Sequence, residues 1–490
     1  MLSDIELTAD QPLQSQLHRA LASRISSGRL VPGMRLPSSR LLAQQLGVSR
    51  NTVTAVLDQL KAEGYIDSRS GSGVYVNQDL PGGLLRIGAT AGSVQPLPTL
   101  SEYGATLQQM ARWPQQPADL PSHQTAALPF TVGLPDLSQF PLKSWLKIQR
   151  RHQDRSVLMG YDNAYGYQPL RQALANYLRA SRGVRCQPNQ IIITHGAQQA
   201  LSLCSLVLLN DGDRVMVENP GYQGAQEAFL ASNAELVGLD VGPEGLDVNK
   251  LPARTTARLM YTTPTHQYPL GGIMPAAQRL KLLDWAARNK LWIIEDDYDS
   301  EFHFHAKPIA ALQGITEQTP VLYLGSFSKT LLPGLRLGYL VVPESLAPVF
   351  ARAKRCMAGE TAQLCQAVVA DFIDEGHFGR HLRRMRQLYQ QKWDHMAQLI
   401  EQHLAGRATA VVESAGMHLV LQIDAIDDVA LLKNFNAAGF GGGALSQYYL
   451  AGMPAKTGLV LGFANTNAVQ REAGVLALQS LIDKSHSGAT

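Results

Sequence analysis

The 490-residue sequence predicts an α/β protein in two parts: a small helical unit closed by a β-hairpin, and a much larger body of buried strands and helices. Three observations carry that expectation. Residues 1–76 hold short apolar stripes at helical spacing, followed by two strand-like runs. Further on, the apolar runs at 191–193, 291–294 and 321–324 each stop abruptly at small or charged residues, as buried strands do where they open into turns. Hydrophobic residues make up 45% of the chain, which supports a sizeable core, and the length accommodates one small and one large domain.

In the small unit, Leu13, Leu17, Leu21 and Ile25 recur every four positions, and Gly28 and Pro32-Gly33 end that helix. Leu36-Pro37-Ser38-Ser39-Arg40 opens a second helix, with serine ahead of the periodic run as an N-cap, and the helix covers Leu41 to Leu46. Gly47-Val48-Ser49 makes a short turn. Residues 50–62 then carry Val53, Val56, Leu57 and Leu60 on one face. Two short helices about a glycine-containing turn are a helix-turn-helix signature. Tyr65-Ile66-Asp67-Ser68 and Val74-Tyr75-Val76 read as two strands around Arg69-Ser70-Gly71-Ser72-Gly73, a hairpin wing. The segment resembles the GntR-type winged helix, and residues 36–40 with 46–53 carry the match. In that geometry Ser49, Arg50, Asn51 and Thr52 stand at the end of the third helix that enters a major groove. Arginine and asparagine can read guanine and adenine edges with paired hydrogen bonds. Arg40 is placed for a phosphate or base contact, and the wing glycines, Gly73 among them, allow close backbone approach to the minor groove. The expected partner is double-stranded promoter DNA; winged domains of this size also serve as protein-interaction modules. Residues 1–76 hold eight basic side chains against six acidic ones, a net of +2, and the whole chain is +3. Such weak charge gives little non-specific affinity, so tight binding calls for a homodimer.

Residues 78–128 contain six prolines and five charged residues with no sustained helical period. A structureless stretch of that length does not belong inside one domain. It reads as a linker, about 40 Å in root-mean-square span if flexible, between a DNA-binding domain at 1–77 and a large domain at 129–490. Leu97, Leu100, Tyr103, Leu107, Met110 and Trp113 mark a short helix within it.

The large body concentrates its chemistry at strand ends. After 321–324 comes Gly325-Ser326-Phe327-Ser328-Lys329-Thr330, and Arg336 follows seven positions beyond the lysine. A lysine held where a strand opens into a cleft can form a Schiff base with an aldehyde, and Ser326, Ser328 and Arg336 supply donors for a phosphate. The implied aldehyde is pyridoxal 5'-phosphate (PLP). After 291–294 comes Glu295-Asp296-Asp297-Tyr298-Asp299. A carboxylate against the pyridine nitrogen keeps that ring an electron sink, which is the role read for Asp296, with Tyr298 at the ring 3-oxygen. A solvated acidic loop is the plainer reading of that run, and neither it nor the neighbouring histidines shows metal-ligand spacing. After 191–193 comes Thr194-His195-Gly196-Ala197-Gln198-Gln199, a strand passing through glycine into a helix whose first amides can cradle phosphate. Glu218-Asn219-Pro220-Gly221-Tyr222 puts an aromatic after a turn, where it could stack on the cofactor ring.

In this order, over residues 130–482, these motifs resemble the aspartate aminotransferase-like, fold type I PLP family. The resemblance implies a mixed, mostly parallel sheet and a smaller C-terminal α/β subdomain. It implies Lys329 as the catalytic Schiff-base lysine, Asp296 at the pyridine nitrogen, and Tyr298 at the 3-oxygen. Gly196, Ala197, Ser326, Ser328 and Arg336 would hold the phosphate, and Tyr161, in Tyr161-Asp162-Asn163-Ala164-Tyr165-Gly166-Tyr167, would reach a phosphate across a dimer interface. A GntR-like reader, a long linker and a fold type I domain in one chain resemble the MocR family of bacterial regulators. Thr263-Pro264-Thr265-His266-Gln267-Tyr268-Pro269 and the arginine-rich stretch 380–386 add to that likeness, and His266 falls where a ring contact is expected.

Two functions follow. In one, the chain is a transcriptional regulator whose PLP pocket senses PLP itself or a PLP-reactive amine or amino acid. In the other, it is an active aminotransferase with an appended DNA-binding domain. Family aminotransferases grip the substrate carboxylate with an arginine near the C-terminus, in a strand that matches Gly458-Leu459-Val460-Leu461-Gly462-Phe463, and Val460 stands where it would fall. Gly224 likewise offers no side chain. Without a bidentate partner a carboxylate is poorly held, which favours the sensor. Four cysteines without a C-x-x-C pair suit reduced thiols in a cytoplasm. Residues 1–10 carry three acids and no basic residue, unlike a signal peptide. Residues 191–210 lack any Asp, Glu, Lys or Arg, but Thr194, His195, Gly196, Gln198 and Gln199 make them a buried strand–turn–helix rather than a membrane span.

Overall fold

The computed structural model describes residue 5 and residues 12–69, 73–78, 99–109, 127–304, 309–317, 319–411 and 415–487. The chain divides into two compact units, Met1–Thr99 and Leu100–Thr490.

In the first unit, α1 (Leu13–Ser26) buries Leu17, Leu21 and Ile25 and leaves Leu13 exposed. The start of α2 (Ser39–Leu46) is fixed by Ser38, whose Oγ accepts from the Leu41 amide at 3.3 Å. Gly47, at φ 66°, ends it in the left-handed region. The four apolar residues expected to face inward from α3 (Arg50–Ala62) are its buried ones. Ile66 of β1 (Ile66–Arg69) pairs with Val76 of β2 (Gly73–Val76) in an antiparallel hairpin. The turn residues Ser70, Gly71 and Ser72 lie outside the described residues.

The second unit opens with α4 (Glu102–Gln109), the short helix expected within the proline-rich stretch; Leu100, Tyr103 and Leu107 are exposed, and Leu97, Met110 and Trp113 lie outside the described residues. Then follow α5 (Leu142–His152), α6 (Gln168–Arg182), β3 (Ile191–Thr194), α7 (Ala197–Leu208), β4 (Arg214–Asn219), α8 (Gln223–Leu230), β5 (Glu235–Gly242), β6 (Gly245–Leu246), β7 (Leu259–Thr262), α9 (Ala276–Asn289), β8 (Trp292–Asp297), β9 (Val321–Ser326), β10 (Gly338–Val341) and α10 (Ala347–Ala358). Their strands form one sheet in the order β3-β10-β9-β8-β7-β4-β5-β6. The β9-β8-β7-β4-β5 run is parallel, while β10 is antiparallel to both neighbours and β6 to β5. Strands with all four residues buried, such as central β7 and edge strand β3, are the continuous apolar runs that helices on both faces demand. The remaining elements are α11 (Gln363–Asp374), α12 (His377–Leu404), β11 (Thr409–Val411), β12 (His418–Gln422), α13 (Asp428–Ala437), β13 (Gly443–Ala444), β14 (Gly458–Gly462) and α14 (Ala468–Ser487). Their strands make a second, antiparallel sheet in the order β11-β12-β14-β13.

The plainer alternative for one run falls away. The acids 295–297 are not a solvated loop: β8 runs on through Asp297, and all three are buried. Each finds a local reason to stay there, as follows.

Candidate functional site

Strands β3, β4, β7, β8 and β9 all end on the same edge of the sheet, where parallel α/β folds collect their ligands. The loops that leave those ends enclose a cleft walled by Gly133, Ala197, Gln198, Tyr222, Tyr261, Tyr268, Asp296, Tyr298, Ser326, Ser328, Lys329, Pro333 and Arg336.

Side-chain alternation along β8 sorts its acids. Glu295 accepts the amides of Leu312 at 2.7 Å and Gln313 at 2.9 Å. Asp297 takes Arg182 Nε at 2.7 Å and the Tyr323 hydroxyl at 2.5 Å. Burial works to raise its pKa, but Arg182 and these bonds hold the carboxyl below the usual range. Asp296, between them, points the other way, into the cleft. Its Oδ2 accepts the Tyr261 hydroxyl at 2.7 Å, and its buried Oδ1 has no partner. Burial pushes its pKa up to about 7; the Tyr261 bond opposes this, while Asp297 and Asp299 reinforce it.

Lys329 follows β9 and donates to the Gly133 carbonyl at 2.8 Å. Burial pushes its pKa down, against Asp299 and Asp296. The Ser328 amide donates to Ser326 Oγ at 3.1 Å, which fixes that hydroxyl at the strand end. Gly196, at φ 80°, is the N-cap of α7, and no side chain caps the first amides of that helix. Arg336 lies beside Gly196, and its Nη2 donates to the His195 carbonyl at 3.5 Å. Tyr222 leads into α8 and meets Tyr268 edge-on at 5.8 Å. A side chain at Gly224 would overlap the Tyr222 ring, so that glycine is the seat of the tyrosine. Burial raises Tyr222 to about 12, with Asp296 and Glu227 adding to the effect.

Three expected cofactor residues, Gly196, His266 and Tyr161, are not on the cleft wall. His266 stands behind it, with Nδ1 2.8 Å from the Tyr298 hydroxyl and 2.9 Å from Asp299 Oδ1. It braces Tyr298, whose ring it faces at 5.8 Å. Tyr161 is 97% exposed on its own chain. In the N-terminal unit Arg40, Ser49, Arg50, Asn51 and Gly73 are exposed and Thr52 is half-buried. Ser49 is already engaged, accepting the Thr52 amide at 3.1 Å and meeting the Thr52 hydroxyl at 2.8 Å as the cap of α3. Gly73, at φ 121°, packs against Arg35.

Residues 13–76 match the family described as bacterial regulatory proteins, gntR family, and residues 127–440 match aminotransferase class I and II. The chain is 39% identical over 479 residues to the probable rhizopine catabolism regulatory protein MocR of Rhizobium meliloti, covering 97% of this chain and 95% of that protein. The chain belongs to the MocR family. A second MocR-type relative, the pyridoxine biosynthesis transcriptional regulator PdxR of Corynebacterium glutamicum, is 31% identical over 471 residues, 95% of this chain and 96% of that one. Among solved structures, the kynurenine aminotransferase of Pyrococcus horikoshii superposes with a TM-score of 0.69 at 26% identity, over 79% of this chain and 95% of that one.

The cofactor of this aminotransferase fold is PLP, and the cleft fits it. The buried, unpartnered Asp296 Oδ1 asks for a donor such as a pyridinium N–H. Lys329 would supply the amine, and the uncapped α7 terminus with Arg336 would seat the phosphate. Sequence reading of this MocR-family chain missed Tyr261, Tyr268, Gln198 and Gly133. Tyr261 sits inside an apolar strand and looks like core; Gln198 lay in a quoted motif but had no assigned role. Arg336 is the one arginine on the cleft wall among the described residues. Val460 is fully buried in β14, opposite Val420 and packed with Leu445 and Tyr448.

Proposed function

We propose that this protein is a PLP-binding, dimeric transcriptional regulator of the cytoplasm, with its winged helix reading promoter DNA and its aminotransferase-like domain serving as a sensor. The carrying observation is the pairing of an exposed Arg50–Asn51 helix end in one unit with the Lys329–Asp296 cleft in the other. Lys329 holds the cofactor covalently, Asp296 and Tyr298 meet its ring, Tyr222 lies on it, and Gly196, Ala197, Ser326, Ser328 and Arg336 bind its phosphate. Tyr161 of a second copy completes the phosphate site. When bound, PLP supplies an electron sink and a carbonyl that captures amines.

A wall with a single arginine, already committed to phosphate, grips a carboxylate poorly. That favours PLP itself, or an amine without a carboxylate, as the effector. The name of one relative, tied to pyridoxine biosynthesis, is in keeping with the first option. An effector shifts DNA binding only by its differential affinity for the two arrangements of the readers. The intact Lys329, Asp296 and Arg336 set keeps a second reading open, that of an aminotransferase carrying a DNA-binding domain.

The test is fluorescence anisotropy of DNA from the gene's own upstream region, titrated with cofactor-free and PLP-loaded protein at fixed salt. Selective binding that changes with PLP supports the sensor with cofactor as signal. Selective binding indifferent to PLP points to an amine effector. Absence of selective binding together with turnover of an amino donor favours the aminotransferase.

A further inference from the structure

Lys354, on α10, is a fully buried cation outside the cofactor cleft. Its Nζ donates to the Ala164 carbonyl at 2.8 Å. Burial drives its pKa down to about 8, with Glu360 and Asp162 opposing and Arg171 adding. A buried ammonium is costly, and one carbonyl bond offsets only part of that cost, so the loop it holds calls for explanation.

That loop is the Tyr161–Tyr167 segment, and its backbone is pinned almost residue by residue. Gln363 Nε2 donates to the Gly160 carbonyl at 2.8 Å, and the Ile193 amide to Tyr165 at 2.8 Å. Arg171 Nε donates to Gly166 at 3.0 Å, and Gln366 Oε1 accepts the Tyr167 amide at 2.8 Å. Between the pins at 160 and 164, Tyr161 projects with 97% of its surface exposed, beside Met159 at 71% and Val157 at 67%. A loop so firmly held does not fold its tyrosine back, and the apolar surface it presents has no cover among the described residues. Asp162 adds a buried Oδ2 without a hydrogen-bond partner.

We propose that Lys354 is a positioning residue: it shapes the Tyr161 loop of one copy so that Tyr161 meets the phosphate seat of a second copy, and each cofactor site is completed in trans. This rests on the reading above that two copies pair with Tyr161 reaching across.

Subunit mixing separates this role from a merely structural one. Heterodimers are prepared from differently tagged full-length chains, one partner carrying Lys329→Ala so that only the other site binds PLP covalently, and affinity is read from the absorbance of that covalently bound cofactor. A chain with intact Lys329 should bind PLP about tenfold more weakly when its partner carries Lys329→Ala and Lys354→Met, the loss expected for one charge-assisted hydrogen bond. A Lys329→Ala, Tyr161→Phe partner should produce the same loss. The reverse arrangement, Lys354→Met in the chain that keeps Lys329 and an otherwise intact Lys329→Ala partner, should bind PLP as the wild type does. Loss in this reverse arrangement, or none in the first, overturns the assignment. If the Tyr161→Phe partner has no effect, the trans reading itself fails; if it has an effect and Lys354→Met does not, only the role of Lys354 fails. Should the Lys354→Met chain not fold, Lys354→Gln, with a shorter donor, takes its place in both arrangements and the outcomes read the same way.

Discussion

Asp296→Asn should make the cofactor-free protein more stable and the cofactor more weakly held. In the folded state Asp296 is buried, one oxygen lacks a partner, and its pKa rises from the ordinary 3.8 to about 7. Between those values the folded protein holds a proton that the unfolded chain releases, so stability is lost as pH rises through that window and stays lost above it. A rise of that size corresponds to up to about 4 kcal/mol at pH 8. Asparagine keeps the shape, can still accept from Tyr261, and carries no charge to desolvate. Urea unfolding of the cofactor-free protein should therefore show the variant ahead of the wild type at pH 8 by a few kcal/mol (up to about 4), with the gap closing as pH approaches 4. PLP titration should show the opposite: loss of the ion pair with the pyridinium costs about 1.5–3 kcal/mol, on the order of 10- to 100-fold in affinity. A variant less stable at pH 8, a gap that does not change with pH, or an unchanged PLP affinity would refute the reasoning.

Lys329→Ala should abolish the visible absorbance of covalently held cofactor, and persistence of that absorbance would remove Lys329 from its role. Gly133→Ala should lower PLP affinity about tenfold or more, because a methyl there overlaps the Lys329 ammonium, and φ 73° adds about 1 kcal/mol of backbone strain; a titration matching the wild type would show that Lys329 has room to move. Arg50→Ala should weaken specific DNA binding by about 1–3 kcal/mol if the side chain reads a guanine. An affinity and a preference for operator over scrambled DNA both unchanged from the wild type would refute that assignment. Ser49→Ala should cost about 1 kcal/mol in the stability of the N-terminal unit through loss of the α3 cap, measured by thermal unfolding; an unchanged midpoint would leave Ser49 free for DNA alone.

Much of this was legible because it is local. Helix α3 was legible from the spacing of Val53, Val56, Leu57 and Leu60, α2 from its serine cap, and the candidate phosphate turn from a strand that runs through Gly196 into a helix. The run 295–299 shows the limit. Its acids are adjacent in sequence and identical in kind, yet Asp296 faces the cleft while Glu295 and Asp297 face loop amides and Arg182. Alternation separates them into two sets, but which set meets the cleft depends on the side of the sheet that the loops enclose.

The sequence alone pointed to the two-part architecture, to helix α3 and to Lys329, Asp296 and Arg336, which line the cleft, because each belongs to a pattern among covalent neighbours. The tertiary structure alone decided who stands against them. Tyr261 reaches Asp296 from 35 residues away, Gly133 meets Lys329 from 196, and Lys354 meets Ala164 from 190. Such pairings are set by sheet order and helix packing, which close long loops that no local propensity encodes.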